Sequence, residues 1–177
     1  IAKSGKKILF VATKKQAKEI VASAAKSVNM PYITERWPGG MLTNFATQRK
    51  SVKKMTGFDR FMKDESFNNI SKKERLQVSR QKAKMEKLIG SIADLTRLPA
   101  ALFIVDVLKE HIAVSEAQKL GIPTIAICDT NTDPTLIDFP VPANDDATKS
   151  ISLIMNAMIK AIEEGLEERK MDKEADR

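Results

Sequence analysis

Asp106, Asp129 and Asp133 are the residues of this 177-residue chain whose type and spacing best suit chemistry. Asp106 follows the apolar run Leu102 to Val105, and Asp129 follows Thr124 to Cys128, with Asp133 in the loop just beyond. In a parallel sheet such strand-end positions converge on one crevice. Three carboxylates there are a ligand set for a hard divalent cation, so one reading is a metal- or phosphate-dependent enzyme. Against it, Asp129-Thr130-Asn131-Thr132-Asp133-Pro134 consists of side chains that turn and cap loops by bonding their own backbone, and that role is the one expected of it. His111 and Cys128 are the single histidine and the single cysteine. They offer no nucleophile and base pair, no internal disulfide and no four-ligand zinc site. Cys128 is expected to be a buried, inert thiol at a strand end, and His111 a surface residue. The turn Ala12-Thr13-Lys14-Lys15 has neither the glycines of a dinucleotide site nor a phosphate-cradling loop. Lys14 and Lys15, at a helix start, could meet a phosphate or be solvated; the sequence leaves both open. No cofactor is expected, the divalent cation being the one open question.

A second kind of chemistry lies in how charge is distributed. Against a net charge of +7, residues 1–48 hold 8 Lys/Arg and 2 Asp/Glu, residues 49–93 hold 13 and 5, and residues 94–177 hold 9 and 16. A basic front and an acidic back point to a polyanionic partner for the front and leave the back, Glu116, Glu163 and Glu167 included, facing away from it. Between them, Arg36-Trp37-Pro38-Gly39-Gly40-Met41-Leu42-Thr43-Asn44 joins a cation to a pair of glycines whose bare backbone a partner can approach closely. Arg36 is expected to serve binding there. Trp37 is expected to pack under a domain junction, and Thr43 or Asn44 to cap a helix.

The elements that must position these residues read as follows. Ile8 to Ala12 is a buried strand. Ala17, Ile20, Val21, Ala24 and Val28 recur at helical spacing from Lys14 to before Met30-Pro31, and Tyr32-Ile33-Thr34 is a second strand, making a βαβ opening. Leu102 to Val105 is a central strand. A short helix carrying Ala113, Ala117 and Leu120 then stops at Gly121, and Thr124 to Cys128 is the next strand. Phe139-Pro140-Val141-Pro142 is too proline-rich for anything but a sheet edge. Asn144 or Asp145 caps a long helix with Ile151, Met155 and Ile162 on its buried stripe, and the charged tail from Glu167 is expected to fray. Residues 45–95 carry a different period. Val78, Met85 and Ile92 interleave with Gln81, Leu88 and Leu95 at coiled-coil spacing, opposite Phe45, Val52, Met55 and Met62. Asp64 to Ile70 is the turn, and Ser71-Lys72-Lys73-Glu74 is a capping box. The expected architecture is a Rossmann-like (flavodoxin-like) α/β domain over 1–44 and 96–177, with helices on both faces, and an inserted basic coiled-coil hairpin over 45–95. So narrow a seam leaves Arg49, Lys50, Lys53, Lys54, Lys72, Lys73, Arg80, Lys82 and Lys84 solvated.

The stretch Arg36 to Asn44, followed by a basic helical hairpin, resembles the R-W-x-G-G-x-L-T-N segment of the bacterial small-subunit ribosomal protein S-two family. Pro99 to Asp106 with Glu110-His111-Ile112-Ala113, Glu116-Ala117 and Leu120 to Pro123 resembles that family's second signature. Asp129 to Pro134 and Pro142 to Ala147 match in order and spacing as well. Pro38 replaces a leucine common in the family, and nothing here corresponds to the H-F-G-H segment with which members usually begin. The resemblance implies a non-enzymatic constituent of the small ribosomal subunit in the cytoplasm, with small-subunit rRNA, neighbouring small-subunit proteins and the mRNA-binding ribosomal protein S-one as partners. It implies neither a membrane nor a small-molecule substrate. Lys14, Lys15, Arg36, Gly39, Gly40 and the hairpin cations are the expected RNA contacts.

Overall fold

An unbroken apolar run can only be satisfied between two covered faces, and Ile8–Val11 (β1) is buried at every position. The computed structural model describes residues 1–64 and 66–175. Lys15–Ser27 (α1) returns the chain to Tyr32–Ile33 (β2), and Ala101–Val105 (β3), Thr124–Cys128 (β4) and Phe139–Pro142 (β5) complete the sheet. All pairings are parallel and the strand order is β2-β1-β3-β4-β5, the flavodoxin-like arrangement. The direction of winding reverses between β1 and β3, so the crevice at their carboxyl ends lies beside Thr13, Lys14 and Asp106.

Alternating residues divide the sheet between two cores. Phe10, Phe103, Val105 and Ile127 face α1 and the long helix Thr148–Ala175 (α6), with the Phe10 and Phe103 rings 5.4 Å apart. Leu9, Val11, Leu102 and Ile104 face His111–Leu120 (α5) and the feet of two further helices, Phe45–Lys63 (α2) and Lys72–Ile89 (α4). Val52 and Met55 of α2 and Ile89 of α4, with Ile92 and Leu95 just beyond it, belong to this second core.

Several local expectations change. The turn between α2 and α4 contains a one-turn helix, Ser66–Asn69 (α3), and Glu65 lies outside the described residues. Ser71 and Glu74 do form the capping box. On α4 the half-buried and buried positions are Arg75, Val78, Lys82, Met85, Leu88 and Ile89, whereas Gln81 is exposed. Lys82 sits on the seam because its stem lies between the helices while its ammonium meets Asp59 of α2 at 2.5 Å. Neither Thr43 nor Asn44 caps α2 through its side chain. The buried face of α5 is Ala113, Val114, Glu116 and Ala117, with Leu120 42% exposed. Helix α5 ends at Gly121, whose φ of +63° only glycine adopts without strain. Ahead of α6, Asn144 accepts the N–H groups of Asp146 and Ala147, and Asp145 is engaged elsewhere. The helix runs on to Ala175, held near its end by Lys3, which pairs with Glu168 and Asp172.

Candidate nucleic-acid interface

The switch-point crevice is filled by the chain itself. The Lys14 ammonium lies 2.6 Å from Asp145 Oδ1, 2.6 Å from Asp146 Oδ1 and 3.3 Å from Asp106 Oδ2, with its side chain only 15% exposed. Burial works against its charge, but Asp145, Asp146 and Asp106 outweigh that and hold its pKa above the ordinary lysine value. Asp145, almost wholly buried, is pushed up by burial with Asp106 and Asp129 adding to the effect, against the pull of Lys14. The cluster holds more carboxylates than cations. Beside it, buried Glu110 accepts hydrogen bonds from the Thr13 N–H, at 2.9 Å, and the Thr13 hydroxyl. Burial raises the pKa of Glu110. Asp106 stands at φ +68°, a left-handed conformation that aspartate tolerates better than most residues, and its Oδ1 accepts the Lys109 N–H. Lys14 is therefore removed from the set open to a nucleic acid, its charge being spent on three carboxylates.

The expected carboxylate trio is also rearranged. Asp133 stays in its own loop, accepting the N–H and hydroxyl of Thr135, while Asp129 accepts the N–H groups of Thr130 and Asp145. These bonds hold both carboxyls below the usual aspartate range. The loop thus does the turning and capping its composition suggests. The oxygens within 4.8 Å of one another, where a cation could be held, belong to Asp129, Asp145 and Asp146. One of them, Asp145 Oδ2, is buried without a hydrogen-bond partner. Cys128 is buried, its thiol pushed up by burial and by nearby Asp145, and His111 is exposed with Nδ1 against the Leu108 carbonyl.

On the far side of α5, Glu116 organises the glycine loop. Its Oε1 accepts the Trp37 indole N–H at 3.0 Å and the Gly40 N–H at 2.8 Å; its Oε2 accepts the N–H groups of Leu42 and Thr43 and the Thr43 hydroxyl. Burial works to raise its pKa and is outweighed by these donors, of which Thr43 is the largest, so the carboxyl titrates below its ordinary range. Glu116 is 6% exposed, which corrects the expectation that it lies on the outward acidic surface. Trp37 is buried at the junction. Gly40, at φ +78°, makes the turn, whereas a Cβ on Gly39 would meet nothing within 4 Å, so Gly39 presents open backbone. Arg36 beside it is exposed. Sequence reasoning passed over Glu116 and Glu110. The signal was present for the first, a carboxylate on the apolar face that Ala113 and Ala117 define.

The remaining cations divide by whether the chain supplies their counter-charge. Arg49 donates to the Ala93 and Leu95 carbonyls at 2.8 and 3.0 Å and so clamps α2 to the segment after α4. Lys82 pairs with Asp59, and Lys87 with Glu35. Lys15, Lys50, Lys53, Lys54, Lys72, Lys73, Arg80 and Lys84 are exposed and form no ion pair among the described residues. Lys73, Arg80 and Lys84 line one open groove with Leu76 along the outer face of α4.

The chain is thus a doubly wound α/β body whose switch-point crevice is closed by its own salt bridges, with two helices whose exposed cations have no ion-pair partner among the described residues. A sequence model of the family described as Ribosomal protein S2 matches residues 1–165, and the chain belongs to that family. It is 67% identical over 173 residues to the small ribosomal subunit protein uS2 of Phocaeicola vulgatus, covering 98% of this chain and 62% of that relative. The uS2 of Bacteroides fragilis is 66% identical with the same coverage, and that of Cytophaga hutchinsonii 64% identical over 174 residues, covering 68% of its length. The chain therefore spans about three-fifths of the length of the first two relatives. No helix among the described residues is long and apolar enough to cross a membrane.

Proposed function

We propose that the chain is a structural, non-catalytic component of the small ribosomal subunit that binds rRNA through the exposed cations of α2 and α4, with Lys15, Arg36 and the open backbone of Gly39 extending the surface, the Gly40 N–H being taken by Glu116. The observation that carries this reading is the contrast in counter-charge: Lys50, Lys53, Lys54, Lys72, Lys73, Arg80 and Lys84 have no carboxylate partner among the described residues, while Lys14 has three. Phosphates are the counter-ions such a surface attracts, and cations so dispersed fix position on a backbone rather than read bases. The alternative, an enzyme working in the aspartate crevice, is disfavoured because its groups face one another and His111 and Cys128 stand apart from any partner base.

In this reading the acidic surface of α6, with Glu163 and Glu167 exposed, is left to neighbouring proteins and to recruitment of ribosomal protein S-one, and the protein works on the cytoplasmic ribosome. The function needs no cofactor. Asp129, Asp145 and Asp146 are nonetheless where a hard divalent cation would sit, because the orphaned Asp145 Oδ2 lacks a donor and the cluster carries surplus negative charge. Sedimentation tests the reading directly: the protein is expected to travel with small subunits and to be released by salt. If it stays at the top of the gradient at low salt, the reading fails.

A further inference from the structure

We propose that Glu116 is a positioning residue for RNA binding: its buried carboxylate latches the glycine loop to α5 and so sets the direction in which the α2 and α4 pair leaves the body. The inference rests on the reading that this pair holds RNA. Among the described residues, all five donors to Glu116 come from residues 37–43, the segment that leads into α2, and no cation shares the carboxylate. Beside the exposed Lys87–Glu35 pair, two other hydrogen-bonded ties serve the root. Arg49 joins α2 to the carbonyls of Ala93 and Leu95, and the Ser91 hydroxyl donates to the Tyr32 carbonyl. Those two bind the helices to each other and to β2; Glu116 binds them to α5.

The apolar feet, Val52, Met55, Ile89 and Ile92, hold the pair on the sheet, and their packing allows a limited range of angles. Hydrogen bonds narrow that range, because they weaken steeply off line. The 18 residues of α4 span about 27 Å, so an error of about 10° at the root moves the far end by about 5 Å. That carries a side-chain ammonium at the tip well beyond the roughly 3 Å of a hydrogen bond to the phosphate it would otherwise meet, enough to break the contact.

The test uses a Cys128→Ser background with spin labels at Ser79 on α4 and Asn156 on α6, both exposed, and reads the distance distribution well below melting. Glu116→Gln, which turns one of the two acceptor oxygens into a donor, is expected to broaden that distribution. In the unlabelled chain it should weaken binding to naked small-subunit rRNA about tenfold if the binding direction is then populated about a tenth of the time. The log-log salt slope should not change, because the bound state makes the same phosphate contacts. Trp37→Phe and Thr43→Val, each removing one donor, should move both readouts less and in the same direction, and they carry the test if Glu116→Gln does not fold. An unbroadened distribution in the folded variants overturns the latch. Broadening with unchanged RNA affinity overturns its link to binding. If affinity and slope are also indifferent to Lys53→Gln, Lys54→Gln and Lys84→Gln, the reading of the helix pair falls, while the latch is still judged on distance alone.

Discussion

Lys14 and Lys84 carry the same charge and do opposite things with it. Lys14 stands between Asp106, Asp145 and Asp146 with little exposure, whereas Lys84 lies on the open face of α4 with no carboxylate beside it among the described residues. A buried charge is strongly coupled to its partners and expensive to strand. An exposed one is worth little to stability and stays free for an external partner. What a lysine is for is decided here by whether the same chain supplies its counter-ion.

The largest effect should come from breaking the closed side of that comparison. Lys14→Met leaves Asp145 and Asp106 without their cation and is expected to cost about 3 to 5 kcal/mol, read as a shift in urea midpoint. Because the Lys14 pKa is raised, this stability is complete below 10.5, down to the pH at which the carboxylates take up protons, and at the alkaline end it is lost as pH rises through the higher folded value. A loss under about 1 kcal/mol would mean the crevice is wet and the contrast with Lys84 is one of degree. Next comes Glu116→Gln, at about 2 to 3 kcal/mol near neutral pH, since buried N–H groups lose their acceptor. The Glu116 pKa is lowered, so its contribution is present above the ordinary 4.5 and vanishes as pH falls through the folded value. Melts of parent and variant should therefore converge in acid, and a constant gap would assign the cost to shape rather than charge.

Magnesium sharpens the comparison from the crevice side. At ten times its dissociation constant a single bound ion adds about 1.4 kcal/mol, a gain expected in the parent and absent in Asp129→Asn. Equal gains in both would place the ion elsewhere. The smallest effect on stability belongs to the open side: Lys53→Gln, Lys54→Gln and Lys84→Gln should each change unfolding by under about 0.5 kcal/mol. Together they should reduce the slope of log affinity against log salt by roughly 0.7 to 0.9 per lost phosphate contact. Lys82 stays out of this set because its pairing with Asp59 joins the two helices.

The sheet was legible because its strands are short runs with no polar interruption, and the helix pair because its apolar period is seven. What sequence could not show was how side chains far apart in the chain share charge. Lys14 meets Asp145 across 131 residues, and Glu116 meets Trp37 across 79, distances at which spacing carries no information. Gln81 was misplaced for a related reason. Val78, Lys82, Met85 and Ile89 keep the coiled-coil spacing only if a lysine is allowed on the seam, and polarity alone argues against that until Asp59 is seen opposite.

The proline-rich edge strand has a consequence for the protein before it meets any partner. Ala143 donates its N–H to Cys128 of β4, so the alternation of a strand turns residues 140 and 142 of β5 toward the outer side, and both are proline. The sheet thus ends on a margin with no N–H to offer at either position, beside Phe139, which is 61% exposed. A second chain seeking to add a strand there finds acceptors and no donors, and fibre growth by edge pairing is blocked at its first step. A newly made copy is thereby protected against strand addition at this margin of the sheet.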